Sequence, residues 1–114
     1  MYFIVIFLYK EDYLEDILEA FIELGIEDAI ILNAETMKKE LSLKVPLFAA
    51  LEITSKEKPF VKVIMATTDD RNILKELVKM LKQVDIDLLE EGVCRMILLK
   101  AEEVMGQPEI IEEI

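Results

Sequence analysis

The stretch Tyr2-Phe3-Ile4-Val5-Ile6-Phe7-Leu8-Tyr9 is apolar at every position and has no polar face. Lys10-Glu11-Asp12 ends it abruptly. Successive side chains of a strand point to opposite faces, so a strand with no polar face is predicted to be covered on both.

Working outward, this run opens a strand–helix–strand unit. A periodic helix is predicted over residues 12–24, with Leu14, Ile17, Leu18, Phe21 and Leu24 on one stripe. Asp12 and Glu15 have the spacing of a capping box, and Gly25 stands where a left-handed residue closes a helix. A strand follows at 29–32. The second unit repeats the order, with strands at 60–66 and 94–99 around a helix over 70–84. That helix carries Ile73, Leu77, Met80, Leu81 and Val84 on its stripe, and Thr68, Asp69 and Asp70 as cap acceptors. Two such units predict an α+β, ferredoxin-like βαββαβ sandwich, with an antiparallel sheet and two helices on one face. The chain reads as a single domain, 1–114, with a long inserted connection at 34–58. A strand apolar on both sides, in a fold that covers one side, calls for a partner subunit.

Composition narrows the classes of function. With 54% apolar residues the chain can fill a core. A formal net charge of −11 argues against nucleic acid and against an anionic membrane surface. No stretch approaches the roughly 20 apolar residues of a membrane span. The N-terminal run lacks a basic flank and a cleavage site, so no signal peptide is expected. Cys94 is the single cysteine, which excludes an intrachain disulfide. A cytoplasmic protein is expected. Histidine is absent, which removes Ser-His and Cys-His nucleophiles and His-ligated zinc.

The remaining chemistry is weighed against plainer readings. Asp69-Asp70 is explained first as helix capping, and Glu102-Glu103 and Glu112-Glu113 as solvated charge. Asp85, Asp87, Glu90 and Glu91 form the densest acidic stretch, but their spacing fits no recognised calcium loop, and no metal or cofactor is expected. Cys94 reads as an inert thiol, and the six methionines as core filler. Lys75, Lys79 and Lys82 share one helix face, a solvated face first and an anion-binding stripe second. The three glycines are too scattered for a phosphate-cradling loop.

The connection at 34–58 is apolar, carrying Met37, Leu41, Leu43, Val45, Leu47, Phe48, Leu51 and Ile53. Short helices are predicted at 35–41 and 46–53, the second opened by Pro46. The segment is either an extra core element or a flap facing a ligand or partner, and Phe48 is predicted to be buried. One helical turn is expected at 101–105, and Ile110, Ile111 and Ile114 suggest that the segment after Pro108 docks on something.

Several stretches resemble the P-II nitrogen-regulatory proteins. Leu24-Gly25-Ile26-Glu27-Asp28-Ala29-Ile30-Ile31 is similar to their first helix-to-strand corner. Val63-Ile64-Met65-Ala66-Thr67-Thr68-Asp69-Asp70 resembles their third strand running into an acidic helix start. Lys44-Val45-Pro46-Leu47-Phe48-Ala49-Ala50-Leu51 is similar to a stretch of shorter, divergent relatives, and Val104-Met105-Gly106 resembles their final segment. The resemblance implies a homotrimer whose sheets face one another around a threefold axis. It also implies a non-enzymatic regulator that binds nucleotide and 2-oxoglutarate in clefts between subunits and grips a transporter or enzyme with a long loop.

The chain departs from that pattern where the ligands would sit. Thr36-Met37-Lys38 replaces a Gly-aromatic-Gly, Glu40 replaces a glutamine, and Asp85-Ile86-Asp87-Leu88-Leu89-Glu90-Glu91-Gly92 replaces a basic, glycine-rich loop. Poor ATP binding is therefore expected. The resemblance places an effector near Thr36, Lys38, Lys39 and Gly92, and a protein partner against Met37, Leu43 and Phe48. An alternative is a homotrimer resembling the CutA family that binds divalent cations.

Overall fold

The structure, a computed structural model, describes residues 1–44 (side chains through 41) and 60–108. The strand β1 (Tyr2–Leu8) leads through a 3-10 turn (Glu11–Tyr13) into α1 (Leu14–Glu23), then β2 (Ile30–Glu35) and α2 (Met37–Lys44). The second half comprises β3 (Phe60–Thr68), α3 (Ile73–Lys82) and β4 (Cys94–Lys100). Every neighbouring pair of strands is antiparallel, in the order β2-β3-β1-β4. This small α+β architecture is compatible with the ferredoxin-like arrangement. The predicted helix at 46–53 and Phe48 lie outside the described residues.

Side-chain alternation divides the sheet sharply. Ile4, Ile6 and Leu8 of β1 face the helices and are fully buried, opposite Ala66 and Ile64 of β3. Ile17, Ala20 and Phe21 of α1, with Ile73, Leu77 and Leu81 of α3, close on them in one core cluster. Both helices therefore lie on one face.

The other face is also apolar. Phe3, Val5 and Phe7 are half-buried there, beside Val63 and Met65 of β3 and Ile97 of β4. Ile30 and Leu32 of β2 and Leu99 of β4 are 59, 46 and 53% exposed. Val61 is buried on this face yet stands outside the core cluster. Among the described residues, the two-sided apolar character of β1 is thus met by α1 and α3 on one side.

Helix ends explain several local differences from expectation. Asp12 falls in the 3-10 turn and makes no capping hydrogen bond to α1, whose N-cap is Tyr13. The capping box is not formed, because the chain is still turning when it reaches Asp12. At the second helix, Thr68 Oγ1 accepts from the Asp70 amide and Asp70 Oδ1 from the Asn72 amide, at 3.1 and 2.8 Å. These bonds build the turn before the helix, so α3 starts at Ile73 and not at 70. Residues 101–105 form no helical turn; they are irregular, and 102–105 are exposed. Val84, 60% exposed, leaves the apolar stripe because α3 has ended at Lys82. The methionines are not uniformly core filler: Met65, Met80 and Met96 are half-buried, but Met1, Met37 and Met105 are exposed.

Both helices end in the same motif. Gly25 has φ +87°, the Ile26 amide donates to Phe21 O at 2.8 Å, and the Gly25 amide to Ile22 O at 3.1 Å. At α3 the Ile86 amide donates to Leu81 O at 3.0 Å and the Asp85 amide to Lys82 O at 3.1 Å, with Asp85 at φ +61°. Ile26 and Ile86, just past the left-handed residue, are buried and sew each helix end into the core. A Cβ at Gly25 would meet nothing within 4 Å, so the cost of adding one is conformational alone. Gly25→Ala is expected to destabilise by about 1–2 kcal/mol, and Asp85→Gly to stabilise by a few tenths to about 1 kcal/mol. Urea melts of the two variants should move in opposite directions. Movement in the same direction would refute this account of the helix ends.

Candidate functional site

The residues expected to hold an effector lie at one end of the sheet. The strand register sets Leu8, Lys62 and Cys94 level with one another, and Glu35 opposite Phe60 just beyond. Thr36 follows β2 and Gly92 precedes β4, so both stand at this end. β2 and β4 are the outermost strands of the described sheet, with β3 and β1 between them. Three strand spacings separate the two positions, roughly 14 Å. One copy of the chain does not bring Thr36 and Gly92 together.

At the β2 side, Thr36 Oγ1 accepts from the Lys39 amide at 3.3 Å and satisfies one orphan donor of α2. The Lys39 ammonium lies 5.8 Å from the centre of the Phe60 ring, a cation–π distance. The Lys62 ammonium donates to Asn33 Oδ1. Met37 is 76% exposed, beside Lys38 on the first turn of α2. Leu43 belongs to α2, but its side chain, like all of Phe48, lies outside what is described.

At the β4 side, Gly92 has φ +87°, which a side chain would oppose. Val93, next to it, is buried, and its carbonyl accepts from the amides of Tyr9 and Lys10 at 2.9 and 3.1 Å. The acidic loop before it is organised by its own backbone and by Asp87, whose Oδ1 accepts from the Leu89 amide at 3.0 Å. Asp85, Asp87, Glu90 and Glu91 are exposed, and among the described residues no group of three or more His, Cys, Asp or Glu comes together to hold a metal ion. Asp70 serves as the cap of its turn while hydrogen bonding with Glu76, which raises the Glu76 carboxyl pKa.

A second feature was not anticipated. An open groove of ≈ 480 Å³ runs between α3 and β4, lined by Leu74, Lys75, Val78, Leu88, Leu89, Cys94 and Met96. Leu74 and Val78 are half-buried, beside the core stripe of Ile73, Leu77 and Leu81. The sequence carried the signal: Leu74 and Val78, four residues apart, widen the apolar face of α3 beyond what one stripe needs.

Cys94 opens into this groove, half-buried, and its thiol donates to Leu88 O at 3.4 Å. Burial pushes the thiol pKa up from 9.0 to about 11. The fold favours the neutral thiol, so its contribution to stability is complete below pH 9 and is lost as pH rises from 9 through 11. At pH 8 the thiolate fraction should be about 100-fold below that of an ordinary cysteine. Iodoacetamide should therefore modify the native protein slowly, with a rate still climbing above pH 10. A rate that levels off near pH 9 would contradict this environment.

No helix among the described residues is long and apolar enough to cross a membrane. No protein-family model matches the chain, and no curated protein matches it.

Proposed function

We propose that this protein is a non-enzymatic regulator of the P-II type, a homotrimer that binds a protein partner in response to a small effector held between subunits. The observation that carries this reading is the apolar sheet face opposite α1 and α3. Phe3, Val5 and Phe7 continue into Ile30, Leu32, Val63, Met65, Ile97 and Leu99, across all four strands. A contiguous apolar face of this kind marks an association surface. Three such faces packed around an axis would bury the second side of β1.

The strand register supports placing the effector between subunits. Thr36, Lys38 and Lys39 sit beyond one outer strand and Gly92 before the other, at the same end of the sheet. A neighbouring copy can set the β2 corner of one chain beside the β4 corner of the next. The partner is then met by Met37, already exposed, together with Leu43 and Phe48. A cation-binding trimer is the second reading, favoured by the acidic loop 85–91.

The protein should have three times the 13.2 kDa chain mass by light scattering at micromolar concentration. Leu32→Asp with Leu99→Asp places charge on residues exposed in the single chain, and should yield folded monomer. A monomeric parent protein would overturn the assembly.

ATP should bind weakly in calorimetry, because the loop before β4 carries Asp85, Asp87, Glu90 and Glu91, whose field repels a triphosphate. Low-micromolar affinity would show that the acidic loop does not face the cleft.

A further inference from the structure

We propose that two copies of this chain pair through their helix layers, α1 of each lying on α3 of the other about a twofold axis. The pairing uses the side of the molecule away from the apolar sheet face and does not depend on the trimer proposed above.

The helix layer is divided by charge. On α1, Glu15, Glu19 and Glu23 are spaced four residues apart and are exposed. They form one acidic row, turned away from the core residues Ile17, Ala20 and Phe21. On α3, Lys75, Lys79 and Lys82 are exposed and form a basic row, turned away from Ile73, Leu77 and Leu81. Asp12 and Asp16 add to the acidic half, and Arg71 to the basic half. Glu76, the single acidic residue of α3, is hydrogen-bonded with Asp70.

Neither row is explained by the stability of its own helix. Like charges four residues apart repel. Glu23 ends α1 where the helix dipole disfavours an acid, and the last turn has no basic residue. Among the described residues, no hydrogen bond or ion pair joins the two rows within one chain. A surface of opposite charge relieves both rows at once.

The topology makes the chain its own complement. α1 follows the Leu8 end of β1, and α3 follows the Thr68 end of β3, which lies opposite Tyr2. The helices therefore run antiparallel, with Glu15 toward the same end as Lys82 and Glu23 toward the same end as Lys75. A twofold axis between the helices and parallel to them keeps every residue at its height and exchanges left with right. It sets Glu15, Glu19 and Glu23 of one copy over Lys82, Lys79 and Lys75 of the other, and does so twice. A twofold axis across the helices would stack acid on acid and base on base, so charge selects the first. Ile22, 63% exposed on the outer side of α1, is covered in the pair. Two helices about 15 Å long and roughly 10 Å apart make a patch at the small end of specific interfaces. The pairing is therefore weak, screened by salt, and populated at high protein concentration and low ionic strength.

A disulfide map tests the symmetry. In a Cys94→Ser background, chains carrying Glu19→Cys and chains carrying Lys79→Cys are made separately and mixed at high concentration in about 10 mM salt. Copper–phenanthroline should link one chain of each kind, and the yield should fall roughly tenfold in about 1 M salt. Glu19→Cys chains alone should link about tenfold less than the mixture. Equal yields from the two would overturn the proposal, as would the absence of any linked pair. A second arm needs no crosslink. Glu15→Lys, Glu19→Lys and Glu23→Lys make the layer basic, and Lys75→Glu, Lys79→Glu and Lys82→Glu make it acidic. All six positions are exposed and Glu and Lys have similar helix propensities, so both variants should fold. By sedimentation, neither alone should gain mass in low salt, whereas their equal mixture should gain mass that high salt removes. A mixture that gains none would also overturn the pairing. The mass each variant keeps in high salt reads the trimer separately.

Discussion

The burial of Ile4, Ile6 and Leu8 beneath α1 and α3 is the constraint on which the rest of the molecule depends. β1 is central, hydrogen-bonded to β3 on one side and β4 on the other. A one-residue slip would turn Phe3, Val5 and Phe7 toward the helices, and they are as apolar as the residues they would replace. The pattern of β1 alone therefore does not fix its register. Its partners do. Ala66 stands opposite Ile4 and leaves room for it under the helices, and Lys62 stands opposite Leu8 at the strand's end, where it reaches Asn33. The helices are held in turn by Ile26 and Ile86, pinned by left-handed residues at each C-terminus.

That arrangement leaves chemistry only at the margins. The core is filled by apolar groups, and among the described residues no polar or charged side chain is buried. Glycine, acidic and cationic positions collect at the end of the sheet where β2 and β3 meet α2 and where the acidic loop enters β4. Among the described residues the apolar surplus collects on the sheet face opposite α1 and α3 and in the groove beside α3. Charge sits where it is solvated, and surplus apolar area sits where another surface could cover it.

Much of the fold was legible because its signals are periodic. The stripe of α1, the stripe of α3 and the strand runs around them placed every described strand and both long helices to within a few residues. Legibility failed where local hydrogen bonding overrides periodicity. Asp12 has the spacing of a cap but lies in a 3-10 turn, and Asp70 caps a turn in place of the helix. Ala101-Glu102-Glu103-Val104-Met105 has helical composition, but nothing holds its first turn, and a turn without tertiary contacts does not nucleate. The positions we propose for an effector are marked in the sequence only by residue type. That Thr36 and Gly92 share an end of the sheet depends on strand order, which no local pattern encodes. The groove was missed because its walls come from one helix, one loop and one edge strand, joined only by the fold.

The separation of Thr36 from Gly92 has a consequence for how such a protein could signal. If the effector site we propose is split between the two outer strands, neither half of one chain surrounds a ligand. In the assembly we propose, the halves meet across a subunit boundary, so an effector binds only the associated form. By linkage, the effector then strengthens the association that creates its site. In that proposed assembly the boundary would lie close to α2, whose Met37 is exposed and whose first turn is held in part by Thr36. A group that displaces the Thr36 hydroxyl from the Lys39 amide loosens that turn. On the function we propose, ligand state would thereby reach the residues proposed to meet a partner through the first turn of α2, with no rearrangement of the core.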